Sequence, residues 1–395
     1  MTTSRLVRGM AVLAAGTLLW ALSAGPAAAD NVRDQQWALK AYEAESKVWP
    51  ISQGEGVTVA VIDSGVYADQ QDLTGQILSG GDVSGAHTDG RVDSMGHGTS
   101  MAGLIAGHGH GDQAGVMGLA PKAKILPVRM ALTEDGEIGS ATGDTGFADA
   151  LRYAVDHGAK VVNMSIGTGA LRANADARAA VNYAVSRDVV LVAATGNLGN
   201  IAGAPIDYPA AFPGVVAVGA IDQQGNIWAR SDCGPEITLV APGVDIRSTS
   251  NKAPDDYGYA DGTSDATAYV SAIAALVRSK YPALSAGQVI NRMITSAAAP
   301  PDGSKVPNDR YGYGIASPSK ALAPNPAVDN GSRANPLLGR VESQGAPETA
   351  GPVVPVVAGK AASGAVPVWL YGVGAVVALM VTLGVVVLVR RARLR

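Results

Sequence analysis

Cysteine is almost absent from this chain, because Cys233 is the only one among 395 residues. A single cysteine excludes an intrachain disulfide, a cysteine-rich metal site and dithiol redox chemistry. Charged residues are also few, at 16% of the chain, and the formal net charge is -4. Because no run of lysines and arginines crosses the central region, no broad basic surface is expected, and nucleic acid is not predicted as a partner.

Apolar residues, in contrast, make up 47% of the chain, enough for a sizeable core. Residues 54–317 alternate short runs rich in valine and isoleucine with longer helical patterns, which predicts one α/β domain with a mostly parallel sheet covered on both faces. The predicted strands are residues 57–62, 124–128, 161–165, 189–193, 215–218 and 237–240.

Two helices of this domain are predicted with their starting signals. Apolar residues from Phe147 to Val155 recur at helical spacing, and Asp144 or Thr145 is expected to cap that helix. Ser285 and Gln288 have the spacing of a capping box before a second amphipathic helix. Both helices are interpreted as scaffold.

The first 29 residues have the pattern of a secretory signal peptide. A basic start is followed by an apolar stretch from Met10 to Leu22 and then by three alanines that end at Ala29. Cleavage is expected after Ala29. An N-terminal membrane anchor is the alternative, but the apolar stretch is short for a span.

The stretch from Val366 to Val389 contains no charged residue, and its roughly 24 residues can cross a hydrocarbon core of about 30 Å. Residues 390–395 then include four arginines, and positive residues stay on the cytoplasmic side. A single-pass helix in the cell membrane is predicted, with the basic tail in the cytoplasm and the main body extracellular. A buried core helix is the alternative.

Two segments connect these parts. Residues 30–53 form an N-terminal extension with two tryptophans and a tyrosine, and this extension could dock on the main body. Residues 318–365 are rich in proline, alanine and glycine, which predicts a linker between the body and the membrane.

Three segments carry the residue types that nucleophilic catalysis needs. A hydrophobic strand ends at Asp63, His97 lies between two glycines before a helix of small residues, and Ser264 opens an apolar helix. Catalytic groups gather at the carboxyl ends of parallel strands, and a helix N-terminus can stabilise an oxyanion. Each residue alone has a simpler interpretation, such as an Asx turn for Asp63 or an N-cap for Ser264.

A serine hydroxyl needs a base within hydrogen-bond reach, and the base needs a third group that fixes its tautomer. Asp63, His97 and Ser264 supply these roles in the chain order that subtilisin has. In this order and at these separations, the three segments resemble the subtilisin-like serine proteases over about residues 56–316. The resemblance implies a subtilisin-like three-layer α/β fold and endopeptidase activity through an acyl-enzyme on protein or peptide substrates. No cofactor and no metal site are predicted.

Two further segments resemble that family. The segment around Asn197 is similar to the oxyanion-hole segment, which implies that its side chain is a donor, although the glycines beside it also suit a plain turn. The strand before Ser165, Ile166 and Gly167 is similar to the one that pairs with substrate and borders the primary pocket. These three residues are therefore substrate-binding candidates.

Within the family, the arrangement of extension, linker and single span is most similar to the mycosins. That similarity implies exported proteins as substrates and membrane components of type VII secretion as partners. Asp265, directly after Ser264, departs from many subtilisins, and its charge could either favour the helix dipole or weaken catalysis. A scaffolding role in a secretion complex is therefore the rival interpretation. His108 and His110 are expected in a solvated loop or at a helix end, with no third ligand for a metal.

Overall fold

The computed structural model describes residues 31–111, 113–132, 146–199 and 206–340. Within these ranges, seven strands form a parallel sheet in the order β2-β5-β1-β6-β7-β8-β9. These strands are β1 Thr58–Asp63, β2 Gly81–Asp82, β5 Lys124–Arg129, β6 Val161–Met164, β7 Val190–Ala194, β8 Val216–Ile221 and β9 Ile237–Pro242. Two hairpins complete the described strands: β3 His108–His110 with β4 Ala114–Met117, and β10 Ile246–Thr249 with β11 Tyr257–Ala260.

Helices cover both faces of the sheet. The longer ones are α2 His97–Ala106, α3 Phe147–Asp156, α4 Ala175–Ser186, α5 Thr263–Lys280 and α6 Ala286–Thr295, and the short ones are α1 Trp37–Ala41, α7 Pro318–Leu322 and α8 Pro326–Asp329. Side chains of β1 alternate between two cores, with Val59 and Val61 facing α2 and α5, and Ala60 and Ile62 facing α3. The predicted three-layer α/β fold with a parallel sheet is confirmed.

The six predicted strands all form, and their ends differ from the prediction by at most three residues. The capping box is also confirmed, because Ser285 accepts from the Gln288 backbone N–H and the Gln288 side chain accepts from the Ser285 N–H. The cap predicted for α3 is wrong: its N-cap is Gly146, in a left-handed conformation with φ of 62°. A glycine adopts that conformation without strain, and no side-chain cap is made.

The N-terminal extension packs against the domain over residues 31–53. Trp37 and Trp49 donate their indole N–H groups to the carbonyls of Val244 and Leu119, both at 3.0 Å. The side chain of Val48 is fully buried. The extension is therefore part of the folded body.

The linker predicted from residue 318 begins too early. Residues 318–340 contain α7 and α8, and they bury Leu322, Val328 and Leu337. The buried Arg292 guanidinium holds this segment by donating to the Ala321 carbonyl at 2.9 Å and by pairing with a nearby carboxylate. Proline in this segment starts short helices instead of extending a free chain.

No helix in the described part of the chain has the length and apolar character needed to cross a membrane. The predicted signal peptide at 1–29, the remaining linker at 341–365 and the predicted span at 366–389 lie outside the described residues.

Candidate active site

Asp63 and His97 meet at the carboxyl end of β1. The Asp63 carboxylate is fully buried, and its two oxygens lie 2.8 and 2.9 Å from His97 Nδ1. His97 is the first residue of α2, and Gly98 lets that helix approach β1 closely. A Cβ atom on Gly98 would lie 2.0 Å from the Gly65 carbonyl oxygen, so no side chain fits there. The close approach expected from the flanking glycines is therefore present.

Asp93 organises the loop before His97, and the sequence did not single it out. Its buried carboxylate accepts hydrogen bonds from the backbone N–H groups of Met95, Gly96 and Thr99, and from the Ser64 and Thr99 hydroxyls. These bonds fix the first turn of α2 relative to the residue that follows Asp63. The available signal was an aspartate shortly before a helix start, which suits an N-terminal carboxylate.

The environment of His97 favours its charged form. Burial opposes protonation, but the charge and the hydrogen bond of Asp63 outweigh it, with help from Asp265 and Asp93, and raise the pKa of His97 to about 9. The Nδ1 atom is held by a carboxylate, so the neutral form carries its proton there and leaves Nε2 as the acceptor. This is the tautomer that a general base needs.

Ser264 occupies the first turn of α5, which packs against α2. Its hydroxyl donates to the Ser165 carbonyl at 3.2 Å, and the Ser165 hydroxyl donates back to the Ser264 carbonyl at 2.9 Å. Within the described residues the Ser264 hydroxyl makes no hydrogen bond to His97. The structure therefore joins the aspartate and the histidine directly and ties the serine to the segment of candidate substrate-binding residues.

The side-chain amide of Asn197 has a fixed orientation. Its Oδ1 accepts the Thr263 backbone N–H at 2.9 Å and the Thr263 hydroxyl at 3.0 Å. Because a backbone N–H can only donate, the atom it meets must be the oxygen, and Nδ2 is left as a donor. That donor lies next to the start of α5, where the Ser264 N–H belongs to an unsatisfied helix end.

Asp265 is 2% exposed, and its Oδ1 has no hydrogen-bond partner. Burial raises the pKa of this carboxyl to about 7; the charge of His97 lowers it, and the charge of Asp261 raises it. A buried carboxylate one residue after Ser264 is therefore electrostatically coupled to His97.

The remaining candidates occupy two places. Ser165 and Ile166 are buried directly after β6, and Gly167 follows them against the side chain of Asp207. His108 and His110 lie in β3 instead of the expected solvated loop, and His110 Nδ1 is 2.6 Å from Asp72 Oδ1. A short hairpin with a bulge between the two histidines was not apparent from their spacing.

Comparisons with known proteins identify the family to which this chain is similar. The family model Peptidase_S8, the subtilase family, matches residues 54–314. Thermitase from Thermoactinomyces vulgaris is 37% identical over 234 residues, which is 59% of this chain and 79% of that protein. Subtilisin DY from Bacillus licheniformis is 36% identical over 247 residues, which is 62% of this chain and 85% of that protein.

Two solved protease structures have a similar fold. The MycP3 protease from the type VII (ESX-3) secretion system matches with a TM-score of 0.62 and 33% identity, over 73% of this chain and 88% of that chain. MycP1 from Mycobacterium smegmatis matches with a TM-score of 0.66 and 28% identity, over 79% of this chain and 89% of that chain.

Proposed function

This chain belongs to the subtilase family and is a subtilisin-like serine protease, and from that membership we propose that Asp63, His97 and Ser264 are its catalytic triad. The observation that carries the proposal is the contact of 2.8 Å between His97 Nδ1 and the buried Asp63 carboxylate, beside a serine on the first turn of the neighbouring helix. Asn197 is proposed as the side-chain donor of the oxyanion hole, and Ser165 to Gly167 as residues that bind substrate.

In the proposed reaction, His97 Nε2 takes the proton from Ser264 Oγ as that oxygen attacks the scissile carbonyl. The Ser264 hydroxyl must first turn away from the Ser165 carbonyl, which accepts it in the absence of substrate. The new oxyanion receives hydrogen bonds from Asn197 Nδ2 and the Ser264 N–H. His97 then gives its proton to the leaving amine, and water hydrolyses the acyl-enzyme by the same steps in reverse.

Fluorophosphonate labelling tests this triad. The full chain, purified in detergent, is expected to label at Ser264, and Ser264→Ala and His97→Ala are expected to lose the label. Ser279→Ala is a matched control, because it removes a hydroxyl from the same helix at its far end. A folded parent that stays unlabelled would refute an activated serine, as would labelling that survives Ser264→Ala.

The cellular role is proposed from the structural neighbours and the predicted span. The chain would be anchored in the cell membrane by residues 366–389, with the protease domain outside, and would cleave proteins exported by a type VII secretion system. Support comes from the similarity to MycP3 of the ESX-3 type VII secretion system and to MycP1 of the ESX-1 type VII secretion system. Deleting residues 366–395 should move the protein from the membrane fraction to the medium.

A scaffolding role within the secretion complex is the second candidate. It is favoured by the Ser264 hydroxyl, which is bonded to Ser165 instead of His97, and the charge of Asp265, which helps to raise the pKa of His97, points the same way. Export that survives Ser264→Ala but stops on deletion of the whole protein would identify this role. Export that stops in both cases would identify proteolysis as the required activity.

A further inference from the structure

Asp207 lies close to both the proposed substrate-binding segment and the proposed oxyanion segment, and Asp232 lies close to the second of these. A Cβ atom on Gly167 would lie 3.1 Å from Asp207 Cβ and 3.2 Å from its Oδ2. A Cβ atom on Gly196 would lie 3.1 Å from the same Oδ2 and 2.1 Å from Asp232 Oδ2. The Asp207 carboxylate therefore faces both segments at once, and both present a glycine where a side chain would otherwise separate them from it.

Backbone hydrogen bonds hold both aspartates to these segments. The Asp207 N–H donates to the Thr195 carbonyl at 3.2 Å, and the Asp232 N–H donates to the Gly196 carbonyl at 3.1 Å. On the other side, the Thr168 N–H donates to the Tyr208 carbonyl at 2.9 Å. The backbone at each aspartate is thus hydrogen-bonded to a segment that continues to Asn197 or to Gly167.

Hydrogen bonds satisfy the buried Asp232 carboxylate only in part. It is 2% exposed, and its Oδ1 has no hydrogen-bond partner. Burial and the charge of Asp207 raise the pKa of the Asp232 carboxyl to about 7, while the backbone N–H groups of Gly199 and Leu198 lower it. A cation close to Asp232 would offset the free energy that burial costs the charged form of this carboxyl.

The position of the pair indicates which part of a substrate would supply that cation. In the proposed mechanism the scissile carbonyl lies between Ser264 and Asn197. The side chain of the residue that contributes this carbonyl then enters between the segment 165–167 and Gly196, and its tip approaches Asp207. Resting on the proposed function, we infer that Asp207, supported by Asp232, selects lysine or arginine as the residue whose carbonyl is attacked. A buried carboxylate in the primary pocket sets the same preference in trypsin.

Matched peptides test the inference on the active enzyme. Four internally quenched peptides, identical except for lysine, arginine, norleucine or glutamate at that position, are hydrolysed by the full chain in detergent. Norleucine has the carbon chain of lysine without the ammonium group, so the ratio of the two kcat/KM values isolates the charge. We expect lysine to exceed norleucine by about 10- to 100-fold, the usual effect of a charge-assisted hydrogen bond, and glutamate to be the poorest.

Variants assign the preference to a residue. Asp207→Asn should lower kcat/KM for lysine and arginine by a similar factor, leave norleucine nearly unchanged and retain fluorophosphonate labelling. Asp176→Asn, on the exposed face of α4, is the control that should change none of these ratios. An Asp207→Asn protein in which all substrates lose activity equally would overturn the inference, since that pattern indicates a structural role.

Binding gives a readout that needs no catalysis. In the Ser264→Ala protein, calorimetry should show tighter binding of the lysine peptide than of the norleucine peptide. A parent that labels with fluorophosphonate but hydrolyses lysine and norleucine peptides equally would overturn the basic preference and leave the proposed function intact. A parent that neither labels nor hydrolyses any peptide would overturn both.

Discussion

Activity is expected to depend steeply on pH, because the proposed base must lose a proton first. With the pKa of His97 raised to about 9, about a tenth of the imidazole is neutral at pH 8 and about one per cent at pH 7. The value of kcat/KM should therefore rise through the neutral range and level off only above about pH 10. With an ordinary histidine, the rise in kcat/KM would have its midpoint near pH 6.5.

The charge of Asp265 contributes to the pKa of His97 and therefore to the pH at which kcat/KM rises. Asp265→Asn removes this charge and leaves the shape of the side chain nearly unchanged. A unit charge several ångströms away is worth on the order of 1–2 kcal/mol at an effective dielectric of about 20–40, which corresponds to about one pH unit. The negative charge stabilises the imidazolium, so its loss lowers the pKa of His97 and moves the rise in kcat/KM to lower pH. Asp265 is itself ionised only above about pH 7.

These two pKa values predict the shape of the difference between parent and variant. Near pH 8, Asp265→Asn should be about three- to fivefold more active than the parent, because the parent carboxylate is charged there and its histidine is still mostly protonated. Below about pH 6 and above about pH 10 the two curves should meet. The measurement is kcat/KM for an uncharged peptide from pH 5 to 10.5. Asp261→Asn is the control, and the midpoint of its rise in kcat/KM should stay near pH 9. A parent midpoint near pH 6.5, or a midpoint that moves upward in Asp265→Asn, would refute the reasoning.

Other predictions concern the oxyanion site and the scaffold. Asn197→Ala should lower kcat by about 10²–10³ with little change in KM, which is the loss known for the oxyanion-hole donor in subtilisin. Thr263→Val keeps the backbone N–H that donates to Asn197 Oδ1, so its kcat should fall far less. Equal losses of kcat in the two variants would contradict the orienting role given to that N–H. Arg292→Met removes the buried ion pair with α8 and should lower the free energy of unfolding by about 3 kcal/mol in urea titrations. Ser285→Ala removes a cap and should cost about 1 kcal/mol, and an unchanged midpoint would show that the capping box contributes nothing.

The parts of the fold that follow local pattern could be predicted from the sequence. Parallel strands buried on both faces appear as continuous runs of valine and isoleucine. The first run correctly predicted that Asp63 lies at the carboxyl end of a strand. His97 was predictable for the same kind of reason, since its two glycines mark a close approach of backbone.

The parts that depend on tertiary contacts could not be predicted in this way. Asp93 acts through N–H groups of a loop whose path no periodicity describes. Asp207 and Asp232 are 25 residues apart in sequence and become neighbours only through their bonds to the segment at 195–196. The folded start of the linker could not be predicted, because its three buried apolar side chains are few among many prolines and alanines. One of its attachments, the guanidinium of Arg292, lies on another helix.

The N-terminal extension is connected to the catalytic helix more closely than its sequence suggested. Tyr42 packs edge-to-face on Tyr269 of α5 with ring centroids 5.8 Å apart, and the Ser52 hydroxyl donates to the Leu276 carbonyl of the same helix at 2.9 Å. Tyr269 follows Asp265 by one helical turn, so the extension covers the α5 face that bears the buried carboxylate. We therefore expect that deleting residues 30–53 lets water reach this face of α5 and lowers the pKa of Asp265, because water stabilises the charged carboxylate.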